Sequence, residues 1–256
     1  MLEIRLLPVL SDNYIYLLHE PNSGKTAAVD PAVAEPVLAA LELNGWHLDF
    51  IFNTHHHTDH IGGNLQLKQA TGCRIVGATA DRQRIPGIDI GLGDGERIAL
   101  GNAEFQVLDT PGHTCGHIVY YCADSAALFC GDTLFALGCG RLFEGSAEQL
   151  WRSLQKLKEL PGSTRVYCAH EYTQANARFA LSVETDNAEL KRRAAEIDQL
   201  RLQNLPTLPS TLALELATNP FMREHSASIR TAVGAAASDT PAAAFAKIRL
   251  AKDRFR

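Results

Sequence analysis

The densest cluster of chemically active side chains in this 256-residue sequence is the segment NTHHHTDHIGG, residues 53–63. It follows the apolar run LDFIF and contains four histidines and one aspartate. Alternate side chains of an extended segment point the same way, so His55 and His57 can bind one ion while His56 points elsewhere. Asp59 and His60 are displaced along the chain, as the ligands of a second, neighbouring ion would be.

Three further ligand-type side chains follow apolar, strand-like runs downstream. His113 comes after EFQVLDTPG, Asp132 after ALFCG and His170 after RVYCA. Any one of them alone is better explained as a hydrogen-bonding loop residue. Separate apolar strands that each end at such a residue are together typical of a metal site, and imidazole with carboxylate suits zinc, iron or manganese. The whole pattern predicts a two-metal site.

Composition and charge narrow the class of protein. With 46% hydrophobic and 21% charged residues the chain is ordinary for a globular protein, and its net charge of -5 argues against a nucleic-acid binder. No apolar run is long enough to span a membrane, and the first residues lack the features of a secretory signal. The cysteines show no disulfide-framework or zinc-knuckle spacing, so we expect a reduced, cytoplasmic protein.

Short strands bounded by Gly, Pro, Asn or Asp alternate with helical patterns through the first two thirds of the chain. The segment ERIALGNAEFQVLDT predicts a hairpin with Gly101 and Asn102 at its turn. Helices are predicted in AEPVLAALELNGW, in HIGGNLQLKQATG and in SAEQLWRSLQKLKELPG, the last capped by Ser146. After this region helix formers dominate. We therefore expect an α/β layered domain over residues 1–172 and a smaller helical domain over residues 173–256.

The motifs THHHTDH, PGHTCGH, GDTLF and AHEYT together resemble the ligand signature of the metallo-β-lactamase superfamily. In detail the chain resembles the glyoxalase II family, the hydroxyacylglutathione hydrolases. That resemblance runs the whole length, from LPVLSDNYIYLL through GCGRLFEG to NPFMR and RLAKDRF. The ligand set identifies only the superfamily, and the later segments narrow it to the subfamily. The resemblance implies a four-layered αβ/βα sandwich with a C-terminal helical domain.

The resemblance also implies two divalent metal ions, zinc first, with iron or manganese as alternatives. The implied ligands are His55, His57 and His113 for the first metal, Asp59, His60 and His170 for the second, and Asp132 together with a water or hydroxide as the bridge. Asp59 and Asp132 are the predicted catalytic carboxylates. His56 and His117 fall inside the motifs but are not ligands in this family, so we assign them supporting roles.

The implied reaction is hydrolysis of S-D-lactoylglutathione, or another S-2-hydroxyacylglutathione, to glutathione and D-lactate in methylglyoxal detoxification. Two cations acidify a shared water and stabilise the tetrahedral oxyanion, and a thiolate leaves easily. The family binds the anionic glutathione through positions that are here Arg141, Phe143, Tyr172, Arg249 and Lys252. Arg249 and Lys252 are three apart on a predicted helix and share a face. Relatives often carry Tyr at position 143, so Phe143 removes a donor worth about 0.5–1.5 kcal/mol.

Other functions remain open on this pattern. A persulfide dioxygenase shares the superfamily fold but uses one iron and oxygen on glutathione persulfide; NPFMR and RLAKD favour the hydrolase. A nuclease is disfavoured by the acidic net charge, and a non-catalytic metal-binding module by the filled ligand positions. Cys139 in GCGRLF lacks a basic partner, so we expect a structural role rather than a nucleophile. We expect a monomer with no nucleic-acid or membrane partner.

Overall fold

The computed structural model of the protein describes residues 1–255, so Arg256, the last residue of the predicted helical domain, lies outside the described residues. Contacts group the chain into two compact units. The first comprises Met1–Asp109 and Cys115–Gly131, and the second comprises Thr110–Thr114 and the chain from Asp132 onward. The predicted domain boundary at residue 172 stays a prediction. Within residues 1–255, no helix is both long and apolar enough to cross a membrane.

The first unit begins with a mixed sheet. Its strands, in the order in which they pair, are β1 Glu3–Val9, β2 Asn13–Glu20, β3 Lys25–Val29, β4 Phe50–Phe52, β5 Arg74–Ala78 and β6 Ile88–Leu92. The pairs β1–β2 and β2–β3 are antiparallel, and the pairs from β3 to β6 are parallel. Every residue of β2 is buried, as is expected for a strand that is covered on both faces.

A second, antiparallel group of strands completes this unit. In chain order the strands are β7 Arg97–Leu100, β8 Ala103–Asp109, β9 Ile118–Cys122 and β10 Ala127–Gly131, and each pairs with the next. The predicted hairpin is confirmed: β7 and β8 pair in antiparallel register on either side of Gly101 and Asn102. Gly101 has a positive φ of 59°, which suits glycine in a tight turn.

Aromatic side chains fill the space between the two sheets of the first unit. Phe52 lies with its ring centroid 5.3 Å from that of Phe105 and 5.0 Å from that of Tyr120. Tyr16 contacts Phe129 with a centroid separation of 5.7 Å. All five rings are almost completely buried. Because β4 carries Phe52, this packing fixes the strand that leads directly into the histidine-rich turn.

Helices cover the other face of the first sheet. They are α1 Glu35–Asn44, α2 Thr58–Ile61 and α3 Asn64–Thr71. Val37 and Leu41 of α1 and Leu67 of α3 join a buried apolar cluster that contains Ile51 and Ile75 of the sheet. Three layers of the predicted four-layered sandwich, one of helices and two of strands, are therefore present in this unit.

The second unit is mainly helical. Its elements are β11 Leu134–Phe135, β12 Gly138–Cys139, α4 Ala147–Lys158, β13 Arg165–Cys168, α5 Thr173–Val183, α6 Ala188–Leu202, β14 Ser210–Thr211, α7 Leu212–Thr218, a 3-10 turn Pro220–Met222, α8 Ala227–Ala232 and α9 Pro241–Arg254. Ser146 caps α4 as predicted: it accepts from the Gln149 backbone N–H, and the Gln149 side chain accepts from the Ser146 backbone N–H. Two short elements were not expected in the proline-rich segment LPTLPSTLALELATNPF. They are β14, which pairs with β13, and α7, whose N-cap is Thr211.

Candidate metal centre and substrate cavity

The histidine-rich turn of the first unit lies between β4 and α3, and it is built on a very close approach of two backbones. A Cβ at Gly62 would lie only 2.4 Å from the carbonyl oxygen of Ala32, in the loop after β3. Only glycine fits at that distance. The segment predicted as one helix is consequently divided: α2 ends at Ile61, and α3 starts again at Asn64. Asp59 and His60 both belong to α2, so the helix begins two residues before the predicted start at His60 and includes Asp59.

Within that turn, alternate side chains point the same way, as the sequence predicted. Nε2 of His55 and Nδ1 of His57 are 3.0 Å apart, which suits two ligands of one ion. His56 points elsewhere, and its Nδ1 lies 3.0 Å from Oδ2 of the buried Asp81. His117 stacks against His55 with a centroid distance of 4.8 Å. His56 and His117 therefore support the turn, His56 through its contact with Asp81 and His117 through its contact with His55.

Asp59 and His60 form a second pair of candidate ligands beside the first. Oδ2 of Asp59 lies 3.4 Å from Nε2 of His60, and the Asn13 amide donates to the same oxygen at 3.0 Å. When its ring is protonated at both nitrogens, His60, together with the Asn13 amide, holds the pKa of the Asp59 carboxyl well below its usual range. Asp59 is therefore a carboxylate at any pH at which a protein of this kind functions.

Asp30 orients His60, a role that no sequence motif indicated. Its Oδ2 lies 3.0 Å from Nδ1 of His60, and it also accepts from the Thr54 hydroxyl and the Thr54 backbone N–H, each at 2.7 Å. Because an ionised carboxylate can only accept, Nδ1 of His60 carries the proton and Nε2 offers its lone pair. Asp30 has a φ of +48°, which is uncommon for an aspartate and is supported here by these hydrogen bonds.

In the second unit, one carboxylate lies between two histidines. Oδ2 of Asp132 is 3.4 Å from Nε2 of His113, and Oδ1 of Asp132 is 3.4 Å from Nε2 of His170. Nδ1 of His113 donates to the carbonyl of Arg141 at 2.8 Å, which leaves Nε2 as its ligand atom. Each oxygen of Asp132 thus faces a different imidazole, which is the arrangement expected of a carboxylate that bridges two cations.

Asp132 and His170 are positioned by the ends of strands, and a glycine packs closely against Asp132 and His113. Asp132 directly follows β10, and His170 lies two residues after β13. The GCGRLF segment passes close by: a Cβ at Gly140 would lie 2.1 Å from the carbonyl oxygen of Asp132 and 3.1 Å from the His113 side chain. Gly140 is thus required by a close backbone approach at the candidate ligands.

A cavity of about 460 Å³ in the second unit is lined both by candidate metal ligands and by candidate substrate-binding residues. His113 and Asp132 line it, and so do all the predicted substrate-binding residues: Arg141, Phe143, Tyr172, Arg249 and Lys252. The volume suits a small organic ligand. Cationic side chains and ligand-type side chains therefore share one cavity.

Two basic residues of α9, Arg249 and Lys252, line the cavity, and they differ in how much of their charge faces it. Arg249 is buried: its Nε and Nη2 donate to Asp253, and its Nη1 donates to the Cys139 carbonyl at 2.9 Å. Lys252 donates to the Ala175 carbonyl at 3.3 Å. Burial, assisted by the charge of Arg249, lowers the pKa of Lys252 to about 8. Arg249 is rigidly held, whereas Lys252 is a cation that a bound anion would stabilise.

Aromatic rings pack against the candidate ligands at the cavity. Tyr172 stacks parallel on His170 with a centroid distance of 4.7 Å, and Phe143 meets His113 edge to face at 5.2 Å. The Phe143 side chain is nevertheless 64% exposed, and Arg141 is also exposed. Phe143 therefore presents an apolar ring, whereas a tyrosine at this position would offer a hydroxyl.

Cys139 is buried, and desolvation raises the pKa of its thiol to about 11. A thiol with so high a pKa is a poor nucleophile at neutral pH. Its carbonyl and its sulfur both contact Arg249 instead. These observations agree with the structural role that the sequence predicted.

Comparison with known proteins defines the class. The family model described as "Metallo-beta-lactamase superfamily" matches residues 10–170, and the chain belongs to that superfamily. The model "Hydroxyacylglutathione hydrolase C-terminus" matches residues 171–255. The chain is 61% identical to a hydroxyacylglutathione hydrolase of Methylococcus capsulatus over the full length of both chains, and 54% identical to one of Rhodospirillum rubrum over 99% of both. It therefore belongs to the hydroxyacylglutathione hydrolase family, known as glyoxalase II.

One solved structure of a metal-bound protein is also similar to this chain. The structure titled "Crystal structure of TTHA1623 in a di-iron-bound form" matches with a TM-score of 0.61 and 27% identity, over 86% of this chain and 99% of that one. The predicted α/β metallo-β-lactamase fold with a C-terminal helical domain is confirmed by the two family models.

Proposed function

We propose that the protein hydrolyses S-D-lactoylglutathione, and related S-2-hydroxyacylglutathiones, to glutathione and a 2-hydroxy acid. One observation carries this proposal: His113 and Asp132, which are metal-type ligands, line the same cavity as Arg141 and Lys252, which are cations suited to an anionic peptide. Relatives named hydroxyacylglutathione hydrolase that match over the full length favour this reaction over a persulfide dioxygenase.

We propose further that two divalent ions, zinc before iron or manganese, are held by the residues that the sequence indicated. His55, His57 and His113 would bind one ion, Asp59, His60 and His170 the other, and Asp132 both. The donor chemistry fits: all ligands are imidazole or carboxylate, the two Asp132 oxygens face different histidines, and His60 and His113 have Nδ1 committed to an acceptor. The di-iron form of the solved relative agrees with two ions.

When bound, such ions supply a water of lowered pKa and polarise the thioester carbonyl. The chain's own residues would do the rest. Asp59 and Asp132 would accept hydrogen bonds from the attacking water, and the lowered pKa of Asp59 keeps that carboxyl ionised. Lys252 and Arg141 offer charge to the glutathione carboxylates, and Arg249 fixes the cavity wall through Cys139. The glutathione thiol resembles a cysteine thiol with a pKa of about 8.5, so it leaves as a thiolate without a general acid.

The proposal is tested by assaying S-D-lactoylglutathione hydrolysis with protein whose metal content has been measured. We expect hydrolysis with close to two metal ions per chain, and we expect a His113→Ala variant to lose both activity and metal. His47 is an exposed histidine, so a His47→Ala variant serves as the matched control and should keep both. No thioester hydrolysis, or one iron with oxygen uptake on glutathione persulfide, would overturn the proposal.

In the cell, we propose that this reaction completes methylglyoxal detoxification in the cytoplasm, carried out by a monomer without a nucleic-acid or membrane partner. The acidic net charge and the small anionic substrate support that view. Elution at the monomer mass in size-exclusion chromatography with light scattering would support the monomer; a dimer mass would contradict it.

A further inference from the structure

The turn between β11 and β12 in the second unit contains an unusual residue. Leu137 has a φ of +59°, a region that favours glycine, yet it is fully buried. Its side chain belongs to an apolar cluster with Ala177 and Ala180 of α5 and Leu190 of α6. A left-handed conformation at a leucine costs free energy, so it persists only where the surroundings determine it.

Two buried polar side chains hold the turn in this conformation. Oε2 of Glu215, in α7, accepts from the Leu137 backbone N–H at 2.8 Å. Nδ2 of Asn219 donates to the Phe135 carbonyl at 3.1 Å and to the Gly138 carbonyl at 3.0 Å, so it binds the turn on both sides of Leu137. Asn219 also donates to Oε2 of Glu215 at 3.0 Å. Glu215 and Asn219 therefore act on the turn as one unit.

Glu215 is in turn held by a buried cation. Arg193 of α6 and the Ser210 hydroxyl both donate to Oε1 of Glu215, and Arg193 also donates to Thr218 at 2.6 Å. Glu215, Thr218 and Asn219 are completely buried, and Arg193 nearly so. A buried ion pair of this kind contributes little to net stability, because desolvation offsets the attraction. We therefore relate the role of this ion pair to the geometry that it imposes on the turn.

The other side of the same turn faces the substrate cavity. Phe135 and Cys139, the residues on either side of the turn, both line that cavity. The Cys139 carbonyl accepts from Nη1 of Arg249 at 2.9 Å, and Phe135 meets Tyr172 edge to face at 5.3 Å. Displacement of the turn would therefore move the partners of Arg249 and Tyr172 together.

We propose that Glu215 and Asn219 are positioning residues for the glutathione part of the substrate, because they hold the Leu134–Cys139 turn that sets the places of Phe135 and Arg249. This inference rests on the proposed function. Neither residue lines the cavity, so their removal should weaken substrate binding rather than the chemical step.

Asn219→Ala is the direct test, and Asn187→Ala is its matched control. Asn187 is the N-cap of α6 in the same unit: it donates to Glu184 at 2.9 Å and to the Ala217 carbonyl at 3.0 Å, and it accepts from the Leu190 backbone N–H at 3.0 Å. Its removal disturbs the neighbouring helices α6 and α7 without removing a hydrogen bond to the turn, so it separates general loosening of the unit from loss of the turn contacts. We expect Asn219→Ala to raise KM for S-D-lactoylglutathione about tenfold while kcat changes less than about threefold. Metal content should stay at the wild-type value, and Asn187→Ala should leave KM unchanged.

Amide hydrogen exchange over residues 134–139 gives a readout that does not depend on activity. Asn219→Ala should speed exchange there, and Asn187→Ala should not. An unchanged KM, a fall in kcat with lost metal, or an equal KM rise in Asn187→Ala would overturn the inference. If the wild type does not hydrolyse the thioester, the proposed function fails, while exchange in the turn still decides whether Asn219 holds it.

Leu137→Ala provides a second route to the same test if Asn219→Ala folds poorly. It removes the buried side chain that packs on α5 and leaves the backbone hydrogen bond to Glu215 intact. We expect the same pattern, a raised KM with a nearly constant kcat. If neither variant folds while Asn187→Ala does, the network supports the whole unit rather than the cavity, and the inference is wrong.

Discussion

The most specific prediction concerns the pH dependence that Lys252 gives to substrate binding. Its pKa of about 8 lies more than two units below that of an ordinary lysine. The sign follows from the charge. Below pH 8 Lys252 is protonated and can bind a glutathione carboxylate; above pH 8 it becomes neutral in the free enzyme. At one pH unit above the pKa only about a tenth of the molecules keep the charge. If binding needs that charge, kcat/KM should fall about tenfold for each unit from pH 8 upward.

The value of kcat should respond differently. A bound carboxylate favours the protonated amine, so the pKa of Lys252 rises in the complex and kcat stays flat past the point at which kcat/KM begins to fall. The assay is steady-state hydrolysis of S-D-lactoylglutathione from pH 6.5 to 9.5, corrected for the uncatalysed reaction in buffer. The difference between the two profiles is the diagnostic quantity.

Lys252→Arg is the matched control, because a guanidinium stays charged throughout this range. Any titration of the substrate's own amino group is common to both enzymes and cancels in the comparison. We expect the alkaline fall in kcat/KM to disappear in the variant, although its value at pH 7 can be lower because arginine is bulkier. The reasoning is refuted if the wild type shows no fall up to pH 9.5, or if Lys252→Arg shows the same fall.

Three further predictions concern the metal ligands. Asp132→Ala should abolish hydrolysis and lower metal content while the circular dichroism spectrum is retained; an active, metal-replete variant would contradict the bridging role, and the exposed Asp186→Ala is the control. Asp30→Ala should weaken binding of one of the two ions about 10–100-fold, measured by chelator competition, because His60 loses its acceptor; unchanged affinity would refute this. Acidification from pH 7 to pH 4 should release metal, since imidazole must be neutral to bind it, and metal content that is constant over this range would count against histidine ligation.

The candidate metal ligands could be found from the sequence because they occur in groups, and each group comes after an apolar strand. The alternation of His55 and His57 also followed from the geometry of an extended chain, and the structure bears it out. The division of α2 from α3 was not predicted. The glycine pair reads as tolerable within a helix, and the close approach of Gly62 to Ala32 depends on residues thirty positions away.

Buried polar residues that act at a distance were the main omission. Asp30 ends the strand TAAVD, where an acid is ordinary at a turn, and only its contact with His60 reveals its role. Arg193 lies in a helical stretch rich in charge, so its sequence context is that of a solvated surface residue. Glu215 is a lone charge in a proline-rich apolar segment, and nothing in that segment indicates its pairing with Arg193. The signal for Asn219 was stronger, since it begins the NPFMR segment that supported the family resemblance. Pairings of this kind depend on tertiary contacts that local periodicity does not encode.

The uncovered ring of Phe143 has a consequence for how tolerant the proposed glutathione site would be. A ligand that lies across it displaces ordered water from a flat hydrocarbon surface, and shielding about 80 Å² of that surface contributes about 2 kcal/mol. This gain has no directional requirement, unlike a hydroxyl that must meet one matching atom. We therefore expect thioesters with a more apolar thiol part to be tolerated at this rim, so that selectivity would come from the charged side chains of the cavity rather than from the aromatic ones.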